Sequence, residues 1–141
     1  MSETLDRARA SDRAVRILVV NPHVGSEVGR LLARDGHDVL ELATEDRPRR
    51  MLGVFGPELI LILCPEPASV CRELRAAAPE VQIVAVISGR DVADRATVLD
   101  AGADDCLTVP VHDAQLRARV RGISRNRAQC DPIPTMLGGH A

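Results

Sequence analysis

The sequence predicts an α/β protein built on a doubly wound parallel sheet with helices on both faces. The run Leu59–Cys64 is continuously apolar for six residues between Pro57 and Pro65, as expected of a strand buried on both sides. A second such run, Val81–Ile87, follows a break at Pro79. Around them apolar residues recur at helical spacing, so that strand and helix alternate five times along the chain. Parallel strands require crossover connections, and right-handed helical crossovers cover both faces of the sheet.

Taken in order, residues 1–14 alternate Asp, Arg, Glu and Ala and read as a flexible tail. Arg16–Val20 is the first strand, ended by Asn21-Pro22-His23. Val24, Val28, Leu31 and Leu32 lie on one face of a first helix, which Asp35-Gly36-His37 closes with a glycine C-cap. Val39–Ala43 is the second strand and Arg47–Phe55 the second helix, with Pro48 in its first turn. The apolar run Leu59–Cys64 is the third strand. Ser69 is placed as the cap of a third helix facing inward through Val70, Leu74 and Ala77. Val81–Ile87 is the fourth strand, and Val92–Ala101 the fourth helix, closed by Gly102. Asp105–Val109 is the fifth strand, and Asp113 opens a fifth helix whose inner face is Leu116, Val120 and Ile123. Residues 128–141 read as a C-terminal tail or linker, leaving 15–127 as one domain.

Composition excludes several classes. Apolar residues make up 45% of 141 residues, enough for one core, yet there is one Phe and no Trp or Tyr. The core must be aliphatic, and aromatic platforms for single-stranded nucleic acid are missing. A formal net charge of -2 gives no field favouring nucleic acid or an anionic membrane. No stretch approaches a membrane span or a signal peptide. The four cysteines, at 64, 71, 106 and 130, show no C-x-x-C spacing. They read as thiols in a reducing cytoplasm, with Cys64 and Cys106 inside strands; a Cys64–Cys71 redox pair is the alternative. Sheets of this kind place their site beyond the carboxyl ends of the strands. Those ends are Asn21-Pro22-His23, Cys64-Pro65-Glu66, Ser88-Gly89 and Val109-Pro110.

Five segments carry a family resemblance: Ile17-Leu18-Val19-Val20, Gly36-His37-Asp38-Val39, Pro57-Glu58-Leu59-Ile60-Leu61, Cys71-Arg72-Glu73-Leu74-Arg75 and Leu99-Asp100-Ala101-Gly102-Ala103-Asp104-Asp105. Over about Arg16 to Arg125 the chain resembles the CheY-like receiver domain of response regulators, most closely the OmpR-type receivers. The resemblance implies a flavodoxin-like (βα)5 fold with strand order 2-1-3-4-5 and a cis Val109–Pro110 bond. It also implies a site. In that family an aspartate ending the third strand accepts a phosphoryl group, and an acidic pair after the first strand holds Mg²⁺. A hydroxyl after the fourth strand and a lysine after the fifth bind phosphoryl oxygens.

At each matching position this sequence departs. The acidic pair is Asn21 and Pro22, the acceptor is Leu63, the hydroxyl is Ile87 and the lysine is Val109. Mg²⁺ needs hard oxygen ligands, and leucine has no atom to phosphorylate. The expectation is a degenerate receiver without catalytic activity, metal or cofactor, acting by phosphorylation-independent protein–protein contact. Its contact surface, by resemblance, is a homodimer face on the fourth helix, fifth strand and fifth helix, carrying Arg95, Asp104, Asp105, Arg119 and Arg121. Gln115 replaces the family's acidic residue there, and Cys106 its switch aromatic. The chain reads either as a stand-alone regulator or as the receiver half of a transcription factor with an output domain. The alternative function is small-molecule sensing in the vacated pocket, drawing on Asn21, His23, Cys64, Glu66 and Ser88. Arg117, Arg121 and Arg125 form a basic stripe on the fifth helix, but direct nucleic-acid binding by this domain is not expected.

Overall fold

The computed structural model describes residues 14–22, 27–88 and 92–130. Five parallel strands form one sheet in the order β2-β1-β3-β4-β5. These are β1 (Arg16–Val20), β2 (Asp38–Leu42), β3 (Leu59–Ile62), β4 (Gln82–Ile87) and β5 (Asp105–Thr108). The helices are α1 (Glu27–Arg34), α2 (Met51–Phe55), α3 (Pro67–Ala77), α4 (Val92–Asp100) and α5 (Asp113–Cys130). All four residues of β3 are buried, as expected of its continuous apolar run between two neighbours.

The period-two alternation of each strand divides the core into two layers. Leu18, Val20, Ile60 and Ile62 point to the side covered by Val70, Cys71 and Leu74 of α3 and by Val98 of α4. Ile17, Val19, Leu59 and Leu61 point to the side covered by Leu31 and Leu32 of α1 and by Leu116, Val120 and Ile123 of α5.

The resemblance segments around Gly36, Glu58, Arg75 and Gly102 do structural work away from the strands' carboxyl ends. At Gly36, with φ 94°, the Gly36 N–H bonds to Ala33 O and the His37 N–H to Leu32 O, a Schellman closure of α1. His37 Nδ1 then accepts the Val15 N–H at 3.0 Å. Glu58 is buried, and its Oε1 accepts the Arg16 N–H at 3.0 Å; Arg16 Nε bonds to Gly56 O at 2.7 Å. Arg75 is a hub between α3, β4 and the turn after α4. Its Nε donates to Gly102 O at 2.9 Å, and its Nη1 to Pro79 O and Val81 O at 2.8 Å each. Its Nη2 pairs with Asp104 at 2.6 Å, and the same carboxylate oxygen accepts the Ile83 N–H at 2.8 Å. The Leu99-to-Asp105 run is therefore a second Schellman turn at Gly102 with a salt-bridged latch behind it. Val109–Pro110 is cis.

Several local expectations need correction. β2 begins and ends one residue earlier than expected, because Asp38 already pairs with Arg16. The second helix is broken: two 3-10 turns, Thr44–Asp46 and Pro48–Arg50, precede α2, and Arg47 between them has φ 55°. The left-handed backbone of Arg47 cannot be part of a right-handed helix, so regular helix starts only beyond it. Ser69 does not cap α3. The cap position is Glu66, without a side-chain bond, and Pro67 starts the helix. With that start, Cys71 turns inward and Ala77 is exposed. Cys64 lies beyond β3 rather than inside it, though still buried. β4 starts at Gln82 and β5 stops at Thr108. α5 runs past Arg127 to Cys130, so the expected start of the tail at 128 lies within the helix.

Candidate functional site

The carboxyl ends of β1, β3, β4 and β5 converge at one end of the sheet, and the strand ladder extends a residue into each loop but one. The Asn21 N–H bonds to Leu42 O at 2.9 Å, the Leu63 N–H to Val20 O at 2.8 Å, and the Val109 N–H to Ile87 O at 2.9 Å. The backbone frame of a receiver site is thus present. Its side chains are those of Asn21, buried; Pro22, exposed; Leu63, half-buried against the α1–α5 layer; Ile87, buried; and Val109, 51% exposed. None offers a carboxylate, hydroxyl or amine. Among the described residues no group of three or more His, Cys, Asp or Glu is placed to hold a metal ion.

Beside this frame, between α3 and α4, a cleft of about 490 Å³ opens over the ends of β3 and β4. Three residues expected at a ligand pocket line it: Cys64, Glu66 and Ser88. Asn21 is not among the lining residues, and His23 lies outside the described residues. The expected pocket is therefore shifted toward β4. The cleft adds Ser69 and Arg72 from α3, and Asp94 and Thr97 from α4, none of which the sequence assigns to a pocket. Each pair sits at i, i+3 on its helix, the spacing that presents two residues on one face. That spacing was the available signal.

Cys64 lines this cleft, and Cys71 is fully buried on α3. Burial pushes the Cys64 thiol up, opposed in part by hydrogen bonds from the Thr44 hydroxyl and the Glu66 amide. Burial, then the neighbouring Cys64, pushes Cys71 up to about 11. At neutral pH both are protonated and poorly nucleophilic. Because the folded Cys71 pKa lies above the ordinary value of 9.0, its contribution to stability is intact below pH 9 and is lost as pH rises toward 11. A Cys71→Ala variant should therefore show a flatter decline in urea-unfolding free energy across that window. The expected difference between the two proteins' declines is at most about 2 kcal/mol. Parallel declines would refute this.

The expected contact face is partly self-engaged. Asp105 pairs with Arg119 and Asp104 with Arg75 within the chain. Arg95 on α4 and Arg121 on α5 are exposed, as are Leu99 and Val109. The basic stripe on α5 is interrupted, because Arg117 makes a two-bond pair with Asp35 at the end of α1 (2.8 and 3.3 Å). That carboxylate holds the Arg117 guanidinium above its ordinary pKa. The side chain of Arg125 lies outside the described residues. Among the described residues no helix is long and apolar enough to cross a membrane.

No protein-family model matches the chain. It is 37% identical over 95 residues to response regulator MprA of Mycobacterium leprae, an alignment covering 67% of this chain and 39% of that protein. The chain thus spans less than half the length of such relatives. A CheY-like response regulator receiver domain protein from Methanospirillum hungatei superposes with a TM-score of 0.72 at 18% identity, covering 83% of this chain and 98% of that one. An atypical orphan response regulator superposes with a TM-score of 0.67 at 15% identity, covering 78% and 95% respectively.

Proposed function

This chain is a receiver domain homologous to those of response regulators in two-component signalling, and on that premise we propose that it signals without an aspartyl phosphate. One observation carries the reading. The frame at the strands' carboxyl ends is kept, while Asn21, Pro22, Leu63, Ile87 and Val109 occupy the positions where the chemistry would sit. Phosphoryl transfer consists of positioning and charge neutralisation, and these five side chains supply neither charge nor acceptor. The orphan regulator that shares this fold is described as having a phosphorylation-independent mechanism. That is a property of that protein, and the shared fold supports the reading.

The module acts as a regulator rather than an enzyme, in the cytoplasm, by pairing with a second copy through α4, β5 and α5. Arg95, Asp104, Asp105, Arg119 and Arg121 mark this face. Since Asp104 and Asp105 are paired within the chain, Arg95 and Arg121 are the charges left to face a partner, flanking the exposed Leu99 and Val109. The relatives' greater length leaves room for an output domain, which the pair would bring into register. Light scattering with and without acetyl phosphate and Mg²⁺ tests both parts. The expected result is a dimer of unchanged mass and no phosphoryl gain by intact-mass spectrometry. A monomer that dimerises only with the phosphodonor would refute the reading.

A second reading, small-molecule input, is favoured by the cleft between α3 and α4. Its volume of about 490 Å³ falls within the range of small-molecule sites, roughly 300–1,000 Å³. Ile87, the aliphatic residue at the hydroxyl position, lines it without closing it.

A further inference from the structure

The cleft carries charges of both signs that do not neutralise one another. Elsewhere, arginines that reach another element are paired: Arg75 with Asp104, Arg117 with Asp35, and Arg119 with Asp105. Glu66 just before α3, Arg72 on α3 and Asp94 in the first turn of α4 line one concavity. Among the described residues none of these three enters an ion pair. The remaining wall is aliphatic, formed by Val86, Ile87 and Val98.

Opposite charges held on a shared wall without touching complement a molecule that carries both charges itself. A simple anion that reached Arg72 would also meet Glu66 and Asp94. A simple cation that reached the carboxylates would meet Arg72. Each is disfavoured by like charge, and only a ligand with both groups avoids the penalty. We propose that the cleft binds a small zwitterion with an aliphatic body, of amino-acid or dipeptide size. Its carboxylate lies on Arg72, its ammonium faces Glu66 and Asp94, and its aliphatic part covers Val86, Ile87 and Val98. This rests on the small-molecule reading above and gives it a ligand class. It also gives the ligand a route to the contact face. Asp94 lines the cleft and the adjacent Arg95 lies on the expected dimer surface, so occupancy that draws α4 toward α3 acts on both.

The test is thermal unfolding of the full chain with four probes: L-leucine, L-leucyl-L-leucine, isocaproate, which lacks the ammonium, and isoamylamine, which lacks the carboxylate. At saturation at least one zwitterion should raise Tm by roughly 5 °C or more, and neither single-charge analogue should do so. Arg72→Gln and Asp94→Asn should each abolish the rise; the ligand-free Tm should hold in Arg72→Gln, whose side chain is exposed, and fall by no more than about 3 °C in Asp94→Asn, which gives up its charge in the first turn of α4. No rise with either zwitterion would overturn the proposal. So would an equal rise with isocaproate, or a rise that survives Arg72→Gln. The phosphodonor experiment fails separately: a dimer inert to acetyl phosphate with no zwitterion effect removes only the ligand, whereas a phosphodonor response removes the phosphorylation-independent reading.

Discussion

Replacing Gly102 with alanine is expected to lower stability by about 3 kcal/mol, a fall in Tm of roughly 10 °C for a domain of this size. Two costs combine. Gly102 sits at φ 121°, where an L side chain is strained, typically by about 1–3 kcal/mol. An added Cβ would also stand 2.8 Å from Arg75 Cβ and 2.9 Å from Arg75 Cγ. Those are the root atoms of a side chain held by Gly102 O, Pro79 O, Val81 O and Asp104, so they cannot swing away without releasing the clamp. Overpacking of this kind costs about 1–3 kcal/mol. The measurement is urea unfolding of the variant against the parent. A loss below about 1 kcal/mol would mean that the turn relaxes and that Arg75 does not pin it.

Introducing the missing acceptor alone, Leu63→Asp, is expected to yield no phosphoryl incorporation and a loss of about 2 kcal/mol. The stability loss follows from placing a carboxylate where Leu63 packs half-buried against the aliphatic layer. The absence of incorporation follows from the neighbours. Asn21 and Pro22 offer no carboxylate to Mg²⁺, Ile87 no hydroxyl, and Val109 no ammonium to the phosphoryl oxygens. A carboxylate without those partners is a solvated anion facing another anion. The combined variant Asn21→Asp, Pro22→Asp, Leu63→Asp, Ile87→Thr, Val109→Lys is the positive control, because the backbone frame of the site is intact. Mass spectrometry after acetyl phosphate treatment reads both. Incorporation by the single variant would show that the acceptor site has been placed on the wrong residues.

Strand positions and the inward-facing residues of the first and fifth helices were legible in the sequence because they depend on local periodicity. Leu31, Leu32, Leu116, Val120 and Ile123, read from helical spacing, are all buried on one face. The errors fall where a local signal had two outcomes. Ser69 satisfies the composition of a cap, but Pro67 can begin a helix earlier, and it does. Arg47–Phe55 has helical composition, yet Arg47 adopts a left-handed conformation and splits the segment.

The strands, the glycine turns and the lack of any carboxylate, hydroxyl or amine at Asn21, Pro22, Leu63, Ile87 and Val109 were determined by the sequence alone. Each depends on residue identity at one position or on a repeat within one element. Tertiary structure decided the rest. It commits Asp104 to Arg75 across 29 positions and Arg117 to Asp35 across 82, which removes charges that the sequence left available for partners. It also assembles Glu66, Arg72 and Asp94 around one cleft from two separate helical segments. No periodicity reports such distances, because they are set by how closely α3, on β3 and β4, packs beside α4, on β4 and β5.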